Sequence, residues 1–193
     1  DYCRKINRPM RELIQDDDRR RLLSEVFKQQ NGEYAAENDI LELSSAITYI
    51  KNMMLTDEQI REIESEYPHL NAMFESYQKS LKDNYQMDFD DQMVFALWIL
   101  QNDDEIISAL RARYKYICVD EAQDTSVMQK EMVERCAKRG VRYFIVGDEH
   151  QSINVWCGSD MDAVRNFKDD KCKVFTLPIS YRCAKKIVDI AKQ

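Results

Sequence analysis

The order of apolar and polar positions divides the chain into a helical half and a half in which strands alternate with helices. Between residues 16 and 112 the apolar residues recur at spacings of three and four, the period of amphipathic helices. The clearest run is Ile40, Leu43, Ile47, Ile50 and Met54. We predict five or six helices without strands, forming a helical subdomain over residues 16–112 after a short basic remnant, residues 1–15.

Residues with capping chemistry stand at the predicted helix ends. Gly32 follows the last apolar residue of the first helix, where glycine is the usual stop. Thr56 and Gln59 have the spacing of a capping box, in which each side chain bonds the other residue's backbone N–H. The segment 88–91 (Asp-Phe-Asp-Asp) is predicted to cap a further helix, and the acidic run 103–105 (Asp-Asp-Glu) to open another.

From residue 113 onward the pattern changes to short apolar runs separated by polar clusters and helices. The runs cover residues 116–119, 143–146 and 174–177, and each reads as a buried strand. Strands in this order are expected to be parallel, with their carboxyl ends along one edge of a sheet. Ligands of open α/β sheets bind at that edge, so we predict an α/β fold with a site formed by the three polar clusters.

The three clusters contain chemistry suited to a polyphosphate. Asp120 and Glu121 follow the first strand, Gln151 follows the second and Arg182 follows the third. A carboxylate can hold Mg²⁺ directly or through water, and its neighbour can take a proton from an attacking water. Taken alone, the acid pair is better explained as the acidic start of a helix. The two other clusters favour the metal and nucleotide interpretation.

Composition narrows the class of protein. The 193 residues are 44% hydrophobic and 33% charged, which predicts a globular protein, and no apolar run approaches a membrane span. The six cysteines include no Cys-x-x-Cys pair, and there are two histidines. This usage predicts reduced cytosolic thiols rather than a structural zinc site.

Charge is distributed unevenly along the chain. Residues 1–110 carry 12 basic and 23 acidic side chains, a net −11, whereas residues 111–193 carry 16 and 12, a net +4. An acidic half joined to a mildly basic half indicates two functional surfaces rather than one uniform nucleic-acid binder. Any DNA contact is therefore expected from a local patch.

Four segments follow one another in a recognisable order. They are Phe89–Asp91, Asp120–Ser126, Val146–Ile153 with Trp156 and Gly158 after it, and Leu177–Cys183. They resemble, in turn, the acidic helix entry, the Walker B motif, and the third and fourth motifs of UvrD/Rep/PcrA-type superfamily 1 DNA helicases. The resemblance implies a partial RecA-like P-loop NTPase core with a parallel sheet over residues 113–193. Residues 16–112 would then be the all-helical subdomain inserted in the first motor domain.

The same resemblance implies roles in ATP hydrolysis. Asp120 would bind the Mg²⁺ of Mg-ATP, and Glu121 would orient or deprotonate the attacking water. Gln151 would contact the γ-phosphate and report its loss. Tyr181 would stack on adenine, and Arg182 would stabilise γ-phosphate charge in the transition state.

The third motif also implies a DNA contact, and it departs from the family pattern. Trp156 would stack on a base of single-stranded DNA, with Asn154 in the same loop, because an aromatic face accepts any base. Cys157 stands where the family usually has arginine, tyrosine is commoner at position 154, and asparagine is commoner at Ser180. The four glycines form no Gly-x-x-x-x-Gly-Lys loop, so the chain alone is expected to bind ATP weakly or not at all.

Two functions follow as hypotheses. In the first, the chain is an internal fragment of an ATP-dependent DNA helicase or translocase. Its partners would be single-stranded DNA or a single-strand/duplex junction, a P-loop segment and a second motor domain. A cytoplasmic, nucleoid-associated location and a role in DNA repair would follow from this hypothesis. In the second, it is a non-catalytic module that binds DNA, or binds a protein through its acidic helical half.

Overall fold

The computed structural model describes residues 2–65, 67–137, 141–148, 151, 172–177, 179 and 181–191. The helices in these ranges are α1 (Tyr2–Lys5), α2 (Asp16–Asn31), α3 (Glu37–Asn52), α4 (Asp57–Ile63), α5 (Leu70–Asp83), α6 (Phe89–Asn102), α7 (Asp104–Arg113), α8 (Val127–Ala137) and α9 (Lys185–Ala191). The strands are β1 (Glu12–Leu13), β2 (Gln86–Met87), β3 (Tyr116–Val119) and β4 (Arg142–Ile145). The fold in the described residues is mixed α/β, mostly helical with small parallel sheets.

The main hydrophobic core lies among helices α2 to α5. Its buried members are Ile14, Leu23, Val26, Leu43, Ile47, Ile50, Ile60, Leu70, Met73, Tyr77 and Leu81. Three of the five apolar residues predicted to line one face of α3 are in this list, which confirms the amphipathic pattern. Ile40 is partly buried against the same core, whereas Met54 is exposed, because α3 ends at Asn52 and Met54 follows it with a φ of 52° and 40% exposure.

The predicted helix ends are confirmed in detail. The Gln59 side chain accepts a hydrogen bond from Thr56 N at 2.9 Å, and Gln59 N donates to Thr56 Oγ1 at 3.4 Å. Asp88 caps α6 and Asp103 caps α7, each accepting backbone N–H bonds from the first turn. Gly32 ends α2 with a φ of 77°, a left-handed conformation that glycine adopts without strain.

A small parallel strand pair in the first half corrects the expectation that this half contains helices alone. Strand β1 pairs with β2, with Glu12 opposite Gln86 and Leu13 opposite Met87. Two-residue strands lack the periodicity that reveals longer ones, so this pairing left no sequence signal. The basic segment is also tied to the helices, since Lys5 Nζ lies 2.8 Å from Asp103 Oδ2. The domain boundaries at residues 16 and 113 stay predictions.

A buried ionic network fixes the N-terminus of α6 in this core. Lys51 Nζ lies 2.7 Å from both Asp88 Oδ2 and Asp91 Oδ1, and the Lys51 side chain is 4% exposed. The Tyr77 hydroxyl donates to Asp88 Oδ2 at 2.9 Å and accepts from Arg19 Nε at 3.1 Å. Each charged group therefore has a partner, as buried charges require.

The second half contains a parallel strand pair, as predicted. Strand β3 pairs with β4 with Tyr116 opposite Arg142 and Val119 opposite Ile145, so β4 starts one residue before the predicted run. Both strands were expected to be buried, and this is wrong. Tyr116 is 68% exposed and Phe144 is 61% exposed.

The third predicted strand is absent from the described residues. Residues 172–177 form no regular element, and Val174, Phe175 and Leu177 are 65%, 80% and 87% exposed. An apolar, β-branched run favours an extended strand, but a strand also needs a neighbour to pair with. The sequence also predicts a final helix over Cys183–Ala191, and it is confirmed as α9. A short helix over residues 160–167 and a helix stop at Gly140 are predicted as well, but both lie outside the described residues.

Helix α8 connects the two halves. It begins after the loop that follows β3 and packs against α6 and, less extensively, against α7 and α3. Met128, near its start, is fully buried. The N-terminus of α6 is fixed by Lys51, so the helical core supports the strand pair through α6 and α8. None of the helices in the described part of the chain combines the length and apolar character that a bilayer span requires.

Replacing Lys51 with methionine tests the buried network. The variant keeps most of the side-chain volume but leaves Asp88 buried without its cation, so we expect the free energy of unfolding to fall by about 3–5 kcal/mol. Urea denaturation followed by circular dichroism measures it. Arg20→Met is the matched control, because Arg20 pairs with Glu37 at the surface and its loss should cost about 1 kcal/mol or less. Equal losses in the two variants would contradict the assignment.

The network also predicts acid sensitivity. Burial alone would raise the pKa of Asp88, but the Lys51 charge and hydrogen bonds from Lys51, the Asp91 backbone and Tyr77 lower that pKa below its ordinary 3.8. The unfolded chain therefore binds a proton more readily, and this contribution is complete above about pH 5 and is lost as pH falls through the lowered pKa.

Urea unfolding between pH 3 and pH 7 checks this expectation. Asp88→Asn should show a shallower loss of the free energy of unfolding in acid than the unmodified chain. Parallel pH profiles for the two chains would show that Asp88 does not carry the effect.

Candidate functional site

The acid pair predicted from the sequence lies at the carboxyl end of β3, directly beside the end of β4. Val146 N donates to Val119 O at 2.8 Å, and Ala122 N donates to Val146 O at 2.9 Å. These bonds extend the strand pairing past the strand ends and bring the residues after β3 against those after β4. Asp120 and Glu121 are both exposed there, so a ligand can reach either carboxylate.

Glu121 has a backbone conformation that is rare for a residue with a side chain. Its φ and ψ are 49° and 47°, in the left-handed region, at a cost of about 1–3 kcal/mol. The turn is closed by Asp124 N, which donates to Glu121 O at 2.9 Å, and by Glu121 N, which donates to Asp120 Oδ1 at 3.0 Å. The chain therefore reverses sharply at Glu121 and projects the acid pair from the strand end.

Gln123 joins the two strand ends through its side chain. It is 2% exposed and lies in a short 3₁₀ turn, Ala122–Asp124. Its Nε2 donates to Glu121 Oε2 at 2.7 Å, and its Oε1 accepts from Asp148 N at 3.0 Å. Sequence reasoning assigned Gln123 no role. The available signal was an amide two residues after an acid in a tight turn, a residue able both to donate and to accept.

Gln151 lies within the same hydrogen-bonded group. Its Nε2 donates to Asp148 Oδ2 at 2.8 Å, and its backbone N–H donates to Asp148 O at 3.0 Å. Hydrogen bonds thus run from Glu121 through Gln123 and Asp148 to Gln151. Two of the predicted site residues, from two different strand ends, share this group.

The remaining predicted site residues are not brought into this group by the described residues. Tyr181 is 93% exposed and Arg182 is exposed as well, and they follow the segment that forms no strand. Trp156 and Asn154 lie outside the described residues. The roles of these four residues stay predictions.

Asp120 has the chemistry that a magnesium ion requires. Mg²⁺ is held in nucleotide sites by one or two carboxylates, with water and substrate phosphates as the other ligands. Asp120 is exposed at the strand end, and the one hydrogen bond recorded for it among the described residues, to Glu121 N, uses Oδ1. In the same described ranges no group of three or more His, Cys, Asp or Glu side chains is placed to hold a metal. The donor set therefore fits Mg²⁺ with mostly water and phosphate ligands, and not a protein-enclosed metal.

A cavity of about 350 Å³ lies at the opposite end of the strand pair. Its lining is Leu110, Arg111, Tyr114, Tyr116, Ile117, Cys136 and Val141. Burial raises the pKa of the Cys136 thiol there, with Arg111 opposing the rise. Tyr116, Ile117 and Val141 lie at or just before the beginnings of β3 and β4, not at their ends, and the other lining residues come from α7, the residue after it and the last turn of α8. The cavity is therefore separate from the acid pair.

Comparison with known families identifies the class of protein. The model of the UvrD/REP helicase N-terminal domain matches residues 2–172. The chain therefore belongs to the UvrD/REP helicase family, and the match includes the acid pair, Gln123 and Gln151. The resemblance stated from the motifs is confirmed.

Individual relatives agree with this class. A protein named as a probable DNA helicase II homolog of Mycoplasma capricolum is 28% identical over 93% of this chain and 26% of its own length. The ATP-dependent DNA helicase PcrA of Staphylococcus epidermidis is 26% identical over 94% of this chain and 25% of its length. PcrA of Bacillus subtilis is 30% identical over 76% of this chain and 20% of its length. The chain spans about a quarter of the length of these relatives.

Proposed function

We propose that this chain forms part of the ATP-hydrolysis site of a DNA helicase or translocase that moves on single-stranded DNA. One observation carries the proposal: an exposed acid pair stands at the end of β3 and shares hydrogen bonds with the loop after β4 that holds Gln151. Relatives named ATP-dependent DNA helicase support it. A cytoplasmic location at the nucleoid would follow from this function.

The proposed chemistry follows the position of each side chain. Asp120 would hold Mg²⁺, which would supply positive charge to offset that of the phosphates. Glu121 would accept a proton from the attacking water, for which its exposed carboxylate is accessible. Gln151 would contact the γ-phosphate. Arg182 would add positive charge at the transition state and Tyr181 would stack on adenine, both from the segment after residue 177.

Glu121→Gln tests the catalytic assignment in a longer helicase chain that contains this segment. Removing the base should lower kcat for DNA-stimulated ATP hydrolysis by about 100-fold or more, because general bases contribute about 10²–10⁴-fold. Binding of a fluorescent ATP analogue should persist. Glu134→Gln is the matched control, since Glu134 lies on the surface of α8 and contacts Lys130. Near-normal hydrolysis by the Glu121 variant would refute the proposal.

A non-catalytic role in binding DNA is the second candidate, favoured by the charge division of −11 and +4 between the two halves. In this function the chain binds single-stranded DNA through Trp156 and Asn154, and its acidic helices are left for a protein partner. Binding would weaken as salt rises, because phosphate contacts release counterions.

Fluorescence anisotropy with labelled single-stranded DNA at several salt concentrations measures this binding. Trp156→Ala should weaken it by about 5- to 150-fold, because stacking contributes about 1–3 kcal/mol per base. The control is Trp98→Ala, which alters the other tryptophan of the chain. Trp98 stacks on Phe95 of the same helix, α6, and meets Tyr2 of α1 edge-on. No binding by the unmodified chain at low salt would reject this function.

A further inference from the structure

We propose that Gln123 is a positioning residue for ATP hydrolysis, which holds the Glu121 carboxylate and links its orientation to the loop that contains Gln151. This inference rests on the proposed function of Glu121 and Gln151. The Gln123 side chain is 2% exposed and is therefore almost excluded from solvent. It acts through the groups that it bonds.

The chemistry of its partners fixes the orientation of the Gln123 amide. A backbone N–H can only donate, so the atom that faces Asp148 N at 3.0 Å must be the carbonyl oxygen. An ionised carboxylate can only accept, so the atom that faces Glu121 Oε2 at 2.7 Å must be the NH₂ group. Exchanging the two ends of the amide would break both bonds. Gln123 therefore has one orientation, determined by a partner on each strand end.

This orientation restrains the catalytic carboxylate. The terminal torsion of a glutamate is broad, so an exposed Glu121 without a partner would sample many directions. A charge-assisted bond from Gln123 holds Oε2, while Oε1 makes no hydrogen bond within the described part of the chain. One oxygen is thus fixed by the protein and the other is left to meet a water molecule.

The second bond of Gln123 connects that restraint to the other strand end. Asp148, whose N–H donates to Gln123, also accepts from Gln151 Nε2 at 2.8 Å through its own carboxylate. A movement of Gln151 that displaced Asp148 would break or lengthen the bond to Gln123. The orientation of Glu121 would then depend on whether Gln151 is held in place, as a bound γ-phosphate would hold it.

Gln123→Met in a longer helicase chain containing this segment tests the inference. Methionine nearly matches glutamine in volume but cannot donate to Glu121 or accept from Asp148. We expect kcat for DNA-stimulated ATP hydrolysis to fall by about 10- to 100-fold, the usual effect of losing a group that orients a site residue. The KM for ATP should change much less, because Gln123 does not touch the nucleotide.

A double variant distinguishes positioning from a general loss of structure. If Gln123 acts through Glu121, adding Gln123→Met to Glu121→Gln should lower kcat no further, whereas independent effects would multiply. Gln129→Met is the matched control on α8, because Gln129 only caps that helix by exchanging hydrogen bonds with Ser126. The kcat of the Gln129→Met variant should stay unchanged. Thermal melting of every variant accompanies the kinetics.

The outcomes separate the inference from the function on which it rests. Full activity in Glu121→Gln refutes the proposed function itself. An inactive Glu121→Gln beside a fully active Gln123→Met, or multiplicative losses in the double variant, overturns the positioning role alone. If Gln123→Met does not fold, Gln123→Asn repeats the test with an amide one methylene shorter. Failure of both variants to fold would show that Gln123 is purely structural.

Discussion

Parallel pairing of β3 with β4 determines the geometry of the candidate site. The register places Val119 opposite Ile145, and the bonds from Val146 N and Ala122 N continue it beyond the strands. As a result, residues 120–123 lie beside residues 146–148 and 151, although the two groups are more than twenty positions apart in the chain. A one-residue slip would turn every side chain to the other face of the sheet. It would also separate Gln123 from Asp148.

The helical half of the chain supports this strand pair. Lys51 and Tyr77 fix Asp88, and Asp88 caps the helix α6. Helix α6 packs against α8, and α8 begins three residues after Asp124, the last residue of the 3₁₀ turn that contains Gln123. The buried ion network and the site are therefore joined by two rigid helices, so the position of the acid pair depends on the core of α2 to α5.

The sequence predicted those features that depend on local chemistry. Helical periodicity and capping act within one or two turns of a helix. For that reason the pattern revealed the apolar face at Leu43, Ile47 and Ile50 and the capping residues Thr56 and Asp88. The acid pair and Gln151 were found because each follows an apolar run, and the resemblance to a helicase family supplied their individual roles. The pattern did not reveal strands β1 and β2. It was wrong in predicting that Tyr116 is buried and that residues 174–177 form a paired strand. Each depends on which distant segment lies alongside, and a local pattern does not contain that information.

The conformation of Glu121 favours a functional reason for its carboxylate over a folding reason. A glycine at this turn would adopt the left-handed conformation without strain, and an asparagine would tolerate it better than a glutamate does. The turn is nevertheless closed around glutamate, by bonds at Ala122 and Asp124 and by the Gln123 amide on the Glu121 side chain. Helix N-termini favour acids, but Glu121 accepts no bond there from the backbone of α8, which begins six residues later. A strained acid whose side chain makes no capping bond, but is held by a buried amide, is the arrangement expected of a side chain positioned to act on a ligand.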